Sequence, residues 1–456
     1  MKKSFILFAA LIILGACNNF DEEINTNPNL PSKASGPQLL ANAMLSLPTL
    51  SSSAQAQFMS QYLAETQYVT ASLYPQSSTS FYSLYQGPLV NIETVLNTSL
   101  LNNDQVVGKI LKAYYFWQIT DRWGDVPYSE ALDSKNLTPA YDSQESIYNA
   151  LFALLDEANA TPTPIPITHD IMYGGNMTRW KKLGNSIRLL MALRLSKVNP
   201  TRGAEEFNKA LTAGVMTANT DNFVFKHLLD ANNQNFWYGQ VVVQRREWWA
   251  LTEGLVDKML PVGDPRLAVY GNRARANNQY VGQLYGDIEN FDTEDYSLLG
   301  SAIFAQNAPV YLVTYAQVLF AQAEAAKLGW ISGGDVLAKA KYDEAITQSI
   351  SQWTGSTTGA AALLAQPGVA YDPANAIQQI ATQRWIHLFM NGYEGWAEWR
   401  RTGFPDDLVK PQGTEVPRRL IYIESEKFNN TDNYTSAVQR QFSGEDGLYG
   451  RVWWDK

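Results

Sequence analysis

Only one cysteine, Cys17, stands in the 456 residues, and histidine occurs three times. A lone thiol excludes an intramolecular disulfide, and with no CxxC pair or His/Cys cluster the sequence offers no structural zinc site. His169, His227 and His387 stand singly, without an HExxH motif, and read as structural or surface residues. Positive charge is scarce: 35 Lys and Arg against 44 Asp and Glu leave a net charge of -9. Such a surface repels nucleic acid and anionic lipid, so neither is expected as a partner surface. No apolar run is long enough to span a bilayer. No Pro/Ser linker or composition break divides the chain, and one large domain is the simpler expectation.

The start of the chain explains the cysteine. Lys2 and Lys3 form a basic region, Phe5 to Leu14 an apolar one, and Gly15-Ala16 a small-residue processing site, which together read as a signal peptide over 1–16. Leu14-Gly15-Ala16-Cys17 resembles a bacterial lipobox, in which the thiol is acylated and the cysteine becomes the first mature residue. Each buried CH₂ contributes about 0.8 kcal/mol, so two or more acyl chains anchor a protein stably in outer-membrane lipid. Cleavage removes two lysines and no acid, taking the charge from -9 to -11. Asn18 to Glu23 then forms an acidic cluster that looks like the surface-export signal of Bacteroidetes lipoproteins, with a solvated linker as the alternative. Residues 17–36, rich in Asn, Pro and Ser, read as a tether.

Aromatic residues are abundant: 13 Trp, 24 Tyr and 18 Phe. They supply core volume, and Trp and Tyr also form flat faces for sugar rings. From Pro37 onward the pattern is helical. In 107–132 an apolar stripe recurs at three and four residues through Ile110, Leu111, Tyr114, Tyr115 and Trp117. Gly124 suits a left-handed helix end there, Asp125 a cap and Pro127 the first turn of a following helix. Further helix pairs are expected over 178–214, broken at Asn199-Pro200, over 310–330 with 341–353, and over 373–405. Small residues at the crossings make these pairs look like degenerate tetratricopeptide units in an all-α fold. Residues 215–309 mix Asn, Gln and Gly with aromatics without a sustained period, and a long irregular insertion in a helical frame is often functional.

Several stretches, taken in order, carry a resemblance. The lipobox at Cys17, "RWGDVPYSEAL" at 122–132, "DPRL" at 264–267, "YAQVLFAQAEAAKLG" at 315–329, "YEGWAEWRRTGFP" at 393–405 and "PRRLIYIESEKFNN" at 417–430 resemble the SusD/RagB family over essentially the whole length. The resemblance implies a helical scaffold of four tetratricopeptide-like units over 37–456 and a more variable half, about 215–309, carrying the ligand site. It implies no cofactor and no catalysis. It also implies a surface lipoprotein that presents a nutrient, commonly an oligosaccharide and in some relatives a peptide, to a SusC-like TonB-dependent outer-membrane barrel. Thr382-Gln383-Arg384 departs from the family's usual Glu-Arg-Arg, and Glu394-Gly395-Trp396 from its arginine-bearing form. Ligand residues are not fixed by motif in this family, so none transfers by matching.

The ligand candidates therefore come from the residues themselves. A pyranose presents an apolar face and a rim of hydroxyls, which calls for aromatic platforms edged by amides and charges. Trp248 and Trp249, next to Arg245-Arg246-Glu247, are expected to point apart as adjacent helical residues do, one to the core and one outward. Tyr280, Tyr285, Phe291 and Tyr296 lie in the insertion, and Tyr74 and Tyr82 flank Pro75 and a Ser/Thr loop. Arg245, Arg246, Arg273 and Arg275 could form a local basic patch. Trp117, Trp123, Trp385, Trp396 and Trp399 sit on periodic helices and are expected in the core. The acidic run Asp287, Glu289, Asp292, Glu294, Asp295 lacks the EF-hand spacing and reads as a solvated loop rather than a metal site. Two alternatives remain: a glycosidase using Asp121 with Asp125 or Glu394 with Glu398, and a protein-interaction scaffold without a small ligand.

Overall fold

The computed structural model describes residues 34–133, 135–289 and 292–456. Cys17, its lipobox and Phe291 lie outside the described residues. Eight helices form the frame in four sequential pairs: α1 Asn102–Trp123 with α2 Gln144–Ala160, α3 Met177–Arg194 with α4 Pro200–Ala213, α5 Tyr315–Lys327 with α6 Gly334–Thr354, and α7 Ala376–His387 with α8 Gly392–Thr402. Each pair packs on itself, and α2 on α3, α3 on α5 and α5 on α7 join the pairs into one stack. One hydrophobic cluster runs through the stack and includes Trp117, Trp123, Trp180, Trp385, Trp396 and Trp454. The expected core tryptophans are buried there, Trp399 included.

Local chemistry explains the boundaries. Pro200 opens α4 behind Asn199, whose Oδ1 accepts the Arg202 amide at 3.2 Å. At Gly203 the packing is so close that a Cβ would lie 2.6 Å from the ring of Trp330, in the turn after α5. Two expected boundaries differ. Helix α1 does stop at Gly124, but with φ 88° and ψ -126°, outside the left-handed helical region. The next element is a strand rather than a helix: Val126–Pro127 pairs antiparallel with Tyr141–Asp142. Asp125 does cap a helix, though a later one, its Oδ1 accepting the Gln144 amide of α2 at 2.8 Å. Val310–Val313, expected as the first turn of a helix, is a strand paired with Phe223–Phe225. Its β-branched and aromatic residues favour the pleated form, and Thr314 then starts α5 through a reciprocal capping box with Gln317 at 3.3 and 2.7 Å.

An ionic network fills the centre of the stack. Arg194 of α3 reaches Asp121 at 3.2 Å and Glu394 at 2.8 Å, and Arg401 reaches Glu398 at 2.7 Å and Glu324. Arg384 meets Glu398 at 3.2 Å, and Gln383 accepts from Arg266 at 2.8 Å. The Thr382-Gln383-Arg384 departure thus sits in a structural network. His387 is buried between Thr314 and Ser349 hydroxyls, and burial lowers it to about 3, so it is neutral.

Candidate ligand-binding site

The insertion is held against the N-terminal segment by short strands. Leu63–Glu65 pairs antiparallel with Trp249–Leu251, placing Glu65 opposite Trp249. On its other edge this strand bridges Leu298 and receives Ser297, whose carbonyl accepts the Leu251 amide at 2.8 Å. Gly271 bridges Leu299 in turn. Alternation along the strand then separates the two tryptophans. Trp249 is buried edge-on against Trp237, with ring centres 5.1 Å apart. Trp248 turns outward, half-buried, and meets the exposed ring of Tyr68 edge-on at 4.8 Å. The two do point apart as expected, but because of strand geometry.

Trp248 lines a partly open pocket of about 100 Å³, together with Arg246, Glu247, Asn272, Arg273, Arg275, Thr293 and Tyr296. Leu298, Leu299 and Phe304 add apolar surface. The Arg246 guanidinium stacks 4.5 Å from the Trp248 ring centre and donates to Gln240 at 2.7 Å. Arg273 stacks 4.7 Å from the Tyr280 ring centre and donates to the Asn278 carbonyl. Neither arginine forms an ion pair among the described residues. Arg275, in contrast, is neutralised by Glu247 at 2.9 Å and Glu294 at 2.7 Å. Three of the four expected arginines therefore line the pocket, and Arg246 and Arg273 supply its positive charge. Arg245 does not line the pocket.

Beneath this surface lies Glu65, 3% exposed. Burial pushes its carboxyl up to about 7, against the opposing pull of the Tyr68 and Gln67 amides and the charge of Arg246.

The other candidates are dispersed. Tyr74 and Tyr285 are buried against each other, ring centres 5.7 Å apart, and their hydroxyls are engaged by Gln61 and the Phe58 carbonyl. That burial leaves them no face for a ligand, so they support the region rather than line it, whereas Trp249, though buried, reaches the pocket wall beside Trp248. Tyr280 is half-buried beneath Arg273. Tyr82 lies in a separate cavity with Glu426. The carboxylates of the glycosidase alternative are also placed: Asp121, Asp125, Glu394 and Glu398 are all buried and held by arginines, and none lines the Trp248 pocket. In the acidic run, Asp292, Glu294 and Asp295 are exposed, and no metal-ligating cluster gathers among the described residues. Sequence reasoning passed over Tyr68, Asn272 and Thr293. Tyr68 had a visible signal, since it follows the strand-forming Leu63–Glu65 and leaves the sheet beside its partner.

A stack of helix pairs bearing an aromatic, arginine-rimmed pocket on a loop-rich insertion has the architecture of a ligand-binding protein. The chain belongs to the SusD-like family, described as starch-binding and associating with the outer membrane, which it matches over residues 28–423. Similar solved structures include a chitin-binding protein, 28% identical with a TM-score of 0.83, covering 92% of this chain and 100% of that one. A SusD homologue from Bacteroides fragilis is 26% identical with a TM-score of 0.82, covering 93% and 100%. A chitin-binding SusD homologue from Flavobacterium johnsoniae is 25% identical with a TM-score of 0.80, covering 92% and 98%. No curated protein matches the chain. The family is one of outer-membrane-associated binding proteins, and no described helix is long and apolar enough to cross a membrane.

Proposed function

We propose that this protein is a lipid-anchored outer-membrane nutrient-binding protein that captures an oligosaccharide at the Trp248 pocket and passes it to a SusC-like TonB-dependent barrel. The observation that carries the reading is the outward Trp248 face, flanked by Tyr68 and Tyr296 and edged by Asn272, Arg246 and Arg273. An indole offers a flat apolar surface to the C–H face of a pyranose, while the amide and guanidinium groups donate to its hydroxyls. Chitin binding by two relatives supports a glycan as the ligand. Cys17 would hold the protein on the membrane, and the single helical domain over 37–456 would present the pocket through its insertion. Asp121, Asp125, Glu394 and Glu398 are committed to arginines, which favours binding over hydrolysis at those acids.

Arg246 and Arg273, without an ion pair among the described residues, favour a second reading in which the glycan carries carboxylate or sulfate groups. Calorimetry on the mature protein without its lipid, against chitin oligosaccharides, acidic glycans and mixed peptides, tests both. Binding of one glycan class, weakened at least tenfold or about 1.4 kcal/mol by Trp248→Ala, is expected. If the acidic class is the one bound, affinity falls steeply with salt. Silence towards all glycans, or binding indifferent to Trp248→Ala, would return weight to the scaffold alternative.

A further inference from the structure

An open cleft of about 390 Å³ shares no lining residue with the Trp248 pocket. Phe81, Tyr82 and Tyr85 supply aromatic walls, with ring centres 5.3 to 5.5 Å from Phe81. Leu137, 86% exposed, and Val90, 41% exposed, stand among its lining residues where solvent reaches them. Within it lies Glu426, only 6% exposed. One of its oxygens accepts from the Tyr82 hydroxyl and the other from Tyr141 at 2.6 Å. Asn430 Nδ2 approaches at 3.5 Å.

The buried acids at the centre of the stack, Asp121, Glu324, Glu394 and Glu398, are paired with arginine, whereas Glu426 has no ion pair among the described residues. Among the described residues no Lys, Arg or His lines the cavity, and Asp133 adds a second acid. A buried carboxylate without a cation is unfavourable unless something compensates it. Aromatic rings around it offer the negative faces that attract cations, and a tyrosine whose hydroxyl donates to a carboxylate becomes more electron-rich. The missing partner is therefore a cation from outside the chain. The walls favour one with an organic body over a hard metal ion, which would need several oxygen ligands.

We propose that this cavity is a second ligand site, selective for a primary ammonium group, with Glu426 as its counter-charge and Tyr82, Tyr85 and Phe81 as its walls. It is independent of the Trp248 pocket, so either can fail alone. The test uses Trp248→Ala protein, in which the other site is weakened, titrated calorimetrically with glucosamine trimer, its N-acetylated counterpart and lysinamide. Binding of glucosamine trimer or lysinamide supports the proposal and names the source of the ammonium. The N-acetylated trimer, lacking the charge, should bind at least tenfold more weakly than the free amine. Glu426→Gln should weaken ammonium binding at least tenfold. Because that change also touches Tyr82 and Tyr141, Leu137→Lys serves as a second variant: it lies on exposed surface, leaves the hydrogen bonds intact and places a competing cation beside the cavity. It too should weaken binding about tenfold. Binding of neither ammonium probe, or affinities unmoved by both variants, would overturn the proposal.

Discussion

Trp248 and Trp249 are adjacent in sequence and do opposite things, so their variants should separate binding from folding. Trp249 is buried between Trp237 and Trp248. Its replacement by alanine should cost about 3–5 kcal/mol of stability, measured by denaturant unfolding, as for other large-to-small core changes. Trp248→Ala should leave the unfolding midpoint nearly unchanged while reducing ligand affinity. Glu65 adds a pH dependence with a definite sign. Its carboxyl is raised from 4.5 to about 7 by burial, so the folded protein retains a proton that the unfolded chain has released. This contribution to stability is full below about pH 4.5 and is lost as pH rises through 7. Thermal unfolding of Glu65→Gln, compared with the parent over that window, should show a flatter slope. The split between the two tryptophans was legible in sequence. The burial of Tyr74 and Tyr285 was not, because a Ser/Thr-rich loop composition does not reveal that a remote segment closes over it.

Among the elements, helices were the readable part. Their apolar stripes, the Asn199-Pro200 break and the small residues of α5 all appear where periodicity and capping rules place them. Asn199 is exposed and its side chain caps α4. Asn199→Ala should therefore cost about 1 kcal/mol, read from the denaturation midpoint, without touching the ligand site. Strands were the unreadable part. Leu63–Glu65 and Trp249–Leu251 are three-residue segments, too short for a period-two signal, and their partners lie almost two hundred positions apart. Val310–Val313, four residues long, is as opaque, and its pairing with Phe223–Phe225 overrides a helical-looking run. The candidate site is built on such pairings, which is why its residues could be nominated from composition but not assembled.

Across the whole molecule, the four helix pairs are tied together by buried charge as well as by apolar packing. Arg194 of the second pair bonds Asp121 of the first and Glu394 of the fourth, and Arg401 links the fourth pair to Glu324 of the third. Removing one member leaves buried carboxylates uncompensated. Arg194→Met should cost about 3–5 kcal/mol, and urea unfolding of the variant against the parent would measure it. The insertion, fastened to this frame through two short sheets, presents Trp248 from a rigid base. Hydrogen exchange with and without a bound chitin oligosaccharide tests that arrangement directly. Slowed exchange in 246–249, 272–275 and 293–297 is the expected result; protection confined to other segments, with these three unchanged, would contradict the placement of the ligand at the Trp248 pocket.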